Sequence, residues 1–259
     1  MASLGINIED LHIYIFVFIR LAAIILFNPV FSRARMPGGV KTGLIMCLTV
    51  IITPLVPFYS YDGSVLGFML SVMGEFFIGF LLGFVFNVYY YMLMFAADIM
   101  DTQLGFSMAK TMDPLTNIQS ATMGNLFNIM FMLYFFATNC HLILINMAVN
   151  TFDVVGAGAV GISYEGGCKF AVALFSSVFL LAIRLALPFV AAEFVLEVSL
   201  GLLMKLIPQI HVFVIQMQGK ILVGLALLIA MLIPVTNYVT QYIEKMFASA
   251  NDALLTLVT

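Results

Sequence analysis

The chain has 259 residues, of which 63% are hydrophobic and only 9% are charged, and its formal net charge is −3. Soluble globular domains carry about 45–50% apolar and about 25% charged residues, so this composition excludes an ordinary soluble domain. It indicates burial in lipid or in a large apolar assembly. The small net charge and the lack of a basic patch disfavour nucleic acid as a partner.

Long apolar runs follow one another along the sequence, and each is long enough, or nearly so, for a membrane-spanning helix of about 20 residues. They cover residues 11–31, 43–59, 65–97, 121–149, 170–195 and 221–236. The segment 198–220 is also apolar, but Pro208 and Gln209 interrupt it. After residue 236 the apolar side chains recur every three to four residues, which predicts an amphipathic C-terminal helix. No strand pattern competes, so the predicted fold class is all-α.

Glycines in the run 65–97 predict a tightly packed helix. Gly79 and Gly83 form a GxxxG step, and Gly74 lies seven residues after another glycine; small residues at such spacings let helix backbones approach closely. A straight helix over this run would be about 50 Å long, whereas the apolar core of a bilayer is about 30 Å thick. We therefore expect the helix to tilt, to bend or not to span a bilayer at all.

Ionisable residues inside apolar runs or at their ends predict buried charges, because each costs about 2.5–3.5 kcal/mol in lipid. They are Arg20, Glu75, Asp98, Asp101, Arg184, Glu193 and Glu197. Glu193 and Glu197 lie four residues apart on one helix face, where like charges repel. Arg20, Arg184 or a basic residue of a partner chain could answer them. Two interpretations stay open: a proton or ion path, and interhelical ion pairs in a packed assembly.

Motifs of catalytic and metal sites are either missing from the sequence or out of context. The stretch Gly156–Gly161, GAGAVG, matches GxGxxG, but a dinucleotide site needs a preceding strand and here an apolar helical run precedes it. The cysteines and histidines are scattered, which predicts no metal site. Asp98 and Asp101 are more typical of a solvated helix end than of a catalytic dyad. We expect no enzymatic activity, no cofactor and no metal.

The polar segment Gly105–Gln119, GFSMAKTMDPLTNIQ, separates two of the apolar runs. Its glycine supplies backbone freedom, its phenylalanine and methionines supply deformable apolar bulk, and its proline fixes one end. The residues that carry these properties or frame them are Gly105, Phe106, Ser107, Met108, Ala109, Met112, Asp113, Pro114 and Gln119. The residues alone leave two interpretations, a plain connector and a moving obstruction.

Several stretches, in order and spacing, resemble the FliR family, the R subunit of the flagellar type III export gate, and its SctT-type injectisome counterparts. They are FIRLAAIILFNPVFSRARMPGGVKTGL with Arg20, GEFFIGFLLGF with Glu75, QLGFSMAKTMDP, CHLILINMAVNTFD, and LGLLMKLIPQIHVFVIQMQGKILVGL with Gly201, Pro208 and Gln209. The sequence departs from the family at Gln218–Gly219, where a proline is frequent, and at Asp98 and Asp101, where small residues are common.

The resemblance implies helical hairpins arranged in a hetero-oligomer. Residues 1–169 would resemble the P-type subunit and residues 170–259 the Q-type subunit, and one copy of this chain would close a helical ring of both types. The B-type switch subunit and the rod-base proteins are further expected partners. The implied location is the bacterial inner membrane and flagellar basal body, largely on the periplasmic side. The glycine-spaced helix and the C-terminal helix would then pack between subunits.

The resemblance also implies a function in protein export. Unfolded flagellar proteins would pass through a channel that this chain helps to line, and the Gly105–Gln119 segment would plug that channel at rest. The chain would also help to nucleate the rod. Two alternatives are a small-molecule or proton-coupled transporter, with Glu75, Arg184 and Glu193 in its path, and a scaffold that nucleates the rod without lining a pore.

Overall fold

The computed structural model describes residues 8–33, 37–56, 64–106, 122–158, 164–207 and 212–258. Helices form nearly all of these residues and no strand occurs among them, which confirms the all-α class. The helices are α1 (Ile8–Leu26), α2 (Pro29–Arg33), α3 (Gly38–Ile52), α4 (Val65–Gln103), α5 (Thr122–Ala137), α6 (Cys140–Val154), α7 (Tyr164–Leu206), α8 (Val212–Ala230) and α9 (Leu232–Val258). A short 3-10 turn, Thr53–Leu55, follows α3.

Two apolar runs that predict single helices are broken in the structure. The run 121–149 is divided between α5 and α6, where Asn139 adopts a left-handed φ of 56°. The run 221–236 is divided at Met231, and α8 and α9 are bent by 64° at this break. Pro234 lies one turn after the end of α8 and has no N–H to continue its hydrogen-bond ladder, which favours a break here.

Two helices are longer than the apolar runs from which they were predicted. The helix α4 continues unbroken to Gln103, and α7 joins the run 170–195 to the apolar residues that follow, with Pro188 inside it. The end of α7 at Leu206 agrees with the interruption predicted at Pro208 and Gln209, although these two residues themselves lie outside the described part of the chain.

Three helical segments are long and apolar enough to cross a membrane, judged by length and composition: Gly38–Leu55, Val65–Gln103 and Glu165–Leu206. Up to five segments qualify if α5 with α6 and α8 with α9 each count as one bent span. Large apolar side chains stay exposed along these helices; Val65 is 76% exposed and Leu206 is 80% exposed. Such a surface requires lipid or protein partners.

The chain divides into two compact units that interleave along the sequence. The first consists of Met1–Tyr90, Phe136–Phe175 and Glu244–Thr259, and the second of Tyr91–Phe135 and Ser176–Ile243. The boundaries at 1–169 and 170–259 that the resemblance implies do not coincide with these units. Those boundaries describe likeness to two kinds of partner subunit, and they stay a prediction.

In the first unit, α1 and α4 approach so closely that no side chain fits at the GxxxG step. A Cβ on Gly79 would lie 2.5 Å from the carbonyl oxygen of Arg20, and a Cβ on Gly83 would lie 2.5 Å from the Cβ of Phe27. Both distances are well below van der Waals contact. The two glycines therefore set how near the two helices lie.

The C-terminal helix α9 buries one face along its length, as its spacing predicts. The predicted positions Val239, Ile243, Met246, Ala250 and Leu254 are buried, and Tyr242 and Ala253 are buried beside them. Within the first unit, the hydroxyl groups of Tyr89 on α4 and Ser249 on α9 lie 2.8 Å apart, and the rings of Phe86 and Phe247 meet edge to face. The end of α9 thus packs on the same helix as α1.

Candidate functional site

The segment that the resemblance identifies as a plug leaves α4 through a tight turn in the second unit. The N–H of Leu104 donates to the carbonyl of Met100 at 2.9 Å, and the N–H of Gly105 donates to that of Thr102 at 3.3 Å. Gly105 has a φ of 75°, which a residue with a side chain rarely adopts. Phe106 is half-buried at this exit. The other predicted plug residues, Ser107, Met108, Ala109, Met112, Asp113, Pro114 and Gln119, lie outside the described residues.

The start of α5, which follows the segment in the sequence, lies at the end of α4 from which the segment leaves. The N–H of Met123, in the first turn of α5, donates to Oδ1 of Asp101 at 3.0 Å, and Asp101 is fully buried. A carboxylate at this place satisfies a free N–H group and complements the positive end of the helix dipole. The prediction of a solvated helix end was therefore wrong for Asp101, because α5 supplies a buried partner, whereas Asp98 is exposed.

The exit of the segment packs against α8. Leu104 is fully buried, and its side chain occupies the space above Gly224, where an added Cβ would overlap Cδ2 of Leu104 and lie 3.3 Å from its Cγ. One turn earlier on α8, the Cβ of Lys220 lies 3.9 Å from the position that a Cβ on Gly105 would take. Sequence reasoning missed Gly224, because a lone glycine in an apolar helix gives no indication of what lies above it.

The two acidic residues of α7 have different surroundings. Glu197 forms an ion pair with the ammonium group of Lys220 on α8. Glu193 is fully buried, and neither of its carboxylate oxygens has a hydrogen-bond partner among the described residues. The suggestion that Arg20 or Arg184 answers this acidic pair was wrong for Glu197: its cation is Lys220, Arg184 is exposed, and Arg20 is engaged in the first unit.

A fully buried ion pair joins α1, α4 and the end of α6 in the first unit. Arg20 donates from Nε to Oε2 of Glu75 at 2.5 Å and from Nη2 to Oε1 at 3.0 Å. Its Nη1 donates to the carbonyl oxygens of Thr151 and Val155, both at 2.9 Å. The guanidinium group therefore binds carbonyl oxygens at the C-terminal end of α6, where positive charge is favoured, and is matched by a carboxylate on its other edge.

The same ion pair holds the turn after α6. Oε1 of Glu75 accepts the N–H of Gly158 at 2.7 Å, and the hydroxyl of Ser71 donates to the carbonyl of Gly158 at 2.9 Å. Gly158 has a φ of 80°, and a Cβ there would press on the ring of Phe16. Within the stretch Gly156–Gly161, backbone geometry and close packing thus both require a glycine at Gly158.

The remaining residues predicted to pack helices have different surroundings. Gly74 is buried within α4, next to Glu75. A Cβ on Gly201 would meet no atom of the described residues within 4 Å. Any contact of Gly201 with a partner subunit therefore stays a prediction. The structure brings together two groups of predicted residues: Arg20 and Glu75 in the first unit, and Gly105 beside the Glu197–Lys220 pair in the second.

Comparison with known proteins places these features in one family. The family profile of bacterial export proteins, family 1, matches residues 11–246. The flagellar biosynthetic protein FliR of Escherichia coli strain K12 is 28% identical over 251 residues, which cover 96% of this chain and 94% of the relative. FliR of Bacillus subtilis strain 168 is 28% identical over 245 residues, covering 90% and 92%. The Yop proteins translocation protein T of Yersinia pestis is 28% identical over 243 residues, covering 91% and 87%. The chain therefore belongs to the bacterial export proteins of family 1, the FliR family whose motifs it carries.

Proposed function

We propose that this chain is a core subunit of the flagellar type III export gate, which lines the channel for unfolded flagellar proteins and plugs it at rest. The relatives are flagellar biosynthetic proteins and a translocation protein, which supports a component of the flagellar export apparatus in the bacterial inner membrane. The role in the gate is conformational, and no covalent chemistry is assigned to any residue.

One observation carries the plug: the described residues on either side of residues 107–121 both lie at the last turns of α4. The chain leaves at Gly105, and Met123 is bonded back to Asp101. A segment closed in this way can be displaced without separating α4 from α5. Its phenylalanine and methionines are soft apolar groups that exclude water and ions and still yield to a passing chain.

The uncovered apolar surface supports a hetero-oligomer. On α7 alone, large apolar side chains are exposed at Leu187, Phe194, Val195, Leu202 and Leu206. We propose P-type and Q-type gate subunits as the main partners, with one copy of this chain per gate, and the B-type switch subunit and rod-base proteins as further partners. In this arrangement residues 1–169 and 170–259 take the places of a P-type and a Q-type subunit. Most of the assembly lies on the periplasmic side of the membrane, where it helps to nucleate the rod.

The plug is tested by replacing residues 107–119 with a glycine–serine linker of equal length in cells that co-express the gate subunits. We expect the membrane to become leaky to ions, measured as depolarisation with a potential-sensitive dye. Replacement of residues 57–63, another connector, by such a linker is the matched control and should leave the membrane tight. An unchanged membrane potential in the first variant, with normal amounts of assembled gate, would refute the plug.

A proton-coupled transporter is the second candidate, and the buried Glu193 carboxylate is the observation that favours it. Against it, Glu75 is already engaged by Arg20 and by the N–H of Gly158. Purification separates the two candidates. A transporter should be stable alone or as a small oligomer and should lose transport on Glu193→Gln, whereas a gate subunit should be stable only when co-purified with P-type and Q-type partners.

A further inference from the structure

The side chain of Leu104 packs on α8 above Gly224, and we call this contact the seat of Leu104. The export function does not by itself explain it. Leu104 is the last residue before the left-handed turn at Gly105, and it is fully buried. Its Cδ2, Cγ and Cβ all lie within 3.5 Å of where a Cβ on Gly224 would stand. Glycine inside a helix is about 1 kcal/mol less favourable than alanine. The steric match with Leu104 gives a physical reason for a glycine at this position.

The following residue faces the same side of α8. A Cβ added to Gly105 would point toward the Cβ of Lys220. Lys220 is four residues before Gly224 and thus lies on the same helix face. The exit from α4 therefore contacts two successive turns of α8. Together with the bond between Asp101 and Met123, this fixes the base of the segment from two sides.

The position of α8 along α7 is itself set by neighbouring contacts. Lys220 pairs with Glu197, and the side chain of Leu196 lies in ordinary contact, 3.8 Å, with the place of a Cβ on Gly219. If α8 slid by one turn, Lys220 or Leu228 would come beneath Leu104 instead of Gly224. A side chain at either position would crowd Leu104, so the packing favours the observed position of α8 over one shifted by a turn.

We infer that Gly224 is the positioning residue for the Gly105–Gln119 segment: it seats Leu104, and through that seat the α7–α8 pair sets where the segment starts. A change in the position of α8 therefore shifts the base of the segment. The consequence for ion leakage rests on the proposed plug, whereas the consequence for the position of the segment does not.

Trypsin offers a probe of the segment that is independent of the plug, because Lys110 is the sole lysine or arginine between Lys41 and Lys169. In the purified gate complex, Gly224→Leu should raise the rate of cleavage at Lys110 several-fold, since Leu104 can no longer be seated. Gly219→Ala is the matched control. It adds a methyl group to the same helix at ordinary contact distance and should leave the rate unchanged.

A milder pair of variants covers the case in which Gly224→Leu does not assemble. Gly224→Ala should raise the cleavage rate, and Leu104→Ala, which removes the seated side chain itself, should raise it as well. Native cleavage in both Gly224→Ala and Leu104→Ala overturns the inference.

Ion leakage distinguishes this inference from the plug. If the 107–119 replacement depolarises cells while Gly224→Ala leaves both leakage and cleavage native, the plug stands and the seat is wrong. If the replacement causes no leakage, the plug proposal is wrong. The cleavage rate at Lys110 in the Gly224 variants then still tests whether Gly224 positions Leu104. Increased leakage and cleavage in Gly224→Ala, with native behaviour in Gly219→Ala, supports both.

Discussion

The buried charge centre of the first unit and the loop base of the second unit both join neighbouring helices, but they are built differently. Around Arg20 and Glu75, hydrogen bonds converge from α1, α4, the end of α6 and the following turn on one ion pair. The loop base relies on separate contacts: Asp101 with Met123, Leu104 with Gly224, and Lys220 with Glu197.

Because of this difference, we expect the charge centre to stabilise the fold and the loop base to position the plug segment. Removing one group from the charge centre leaves several buried partners unsatisfied at once, so the centre behaves as a single unit. At the loop base, each contact can be weakened without exposing the others. We expect changes in the first region to unfold the protein or prevent assembly, and changes in the second to shift the plug segment while the gate stays assembled.

The largest effect is expected for Arg20→Met, which leaves the Glu75 carboxylate buried without its cation. Breaking a buried ion pair in this way lowers the free energy of unfolding by about 3–5 kcal/mol. The measurement is the temperature at which a tagged chain in the purified gate complex becomes sensitive to protease. Arg20→Met with Glu75→Leu is the matched control. It removes the uncompensated charge and should recover part of the loss, and a single variant as stable as the native chain would contradict the role of the centre.

Alanine substitutions at two glycines test the close approach of α1 and α4. We expect each to change the stability by less than Arg20→Met does, with a loss at one glycine and a gain at the other. Gly83→Ala places a methyl group 2.5 Å from the Cβ of Phe27, and overpacking of this kind costs about 1–3 kcal/mol. Gly43→Ala in α3 meets no atom within 4 Å in the part of the chain that the structure describes, and it should gain about 0.5–1 kcal/mol from helix propensity. The same protease assay should place the two variants on opposite sides of the native chain; a gain in both would show that α1 and α4 have room to move apart.

At the loop base, Asp101→Ala should release the start of α5 at a cost of about 1 kcal/mol, as expected for loss of a helix cap. Because about 1.4 kcal/mol corresponds to a tenfold change, trypsin cleavage at Lys110 should rise about fivefold. Asp101→Asn keeps an oxygen that can accept the N–H of Met123 and should cleave more slowly than Asp101→Ala. Equal rates in the two variants would mean that the hydrogen bond does not hold the segment.

The features that follow from local pattern could be predicted from the sequence. Apolar runs without strand periodicity give the all-α class, and Pro208 marks the end of α7 at Leu206. Arg20 and Glu75 stand out as charges within apolar helices, and both are buried. Each of these properties depends on residues near one another in the chain, which the sequence displays directly.

The contacts that define the loop base could not be predicted in this way. Hydrophobicity reports that a residue is buried but not what buries it, so neither Gly224 beneath Leu104 nor Met123 beside Asp101 is visible in the pattern. The same limit hides the breaks at Asn139 and Met231, where the chain changes direction while remaining apolar. Partners distant in sequence are chosen by the tertiary fold.

The smallest effect is expected for Lys220→Met, which removes one partner of the ion pair at the loop base. The ion pair with Glu197 is partly exposed, at 17% and 44% for the two side chains, and such pairs contribute about 0.2–1 kcal/mol. The methionine keeps apolar bulk beside Gly105, so cleavage at Lys110 should rise by less than in Asp101→Ala. Screening by high salt should bring the native chain toward the variant. Lys169→Met is the control, because its pair with Glu165 in α7 is almost fully exposed and should not affect the segment. A loss of assembly in Lys220→Met would instead mean that this ion pair, like the charge centre, is needed for the fold.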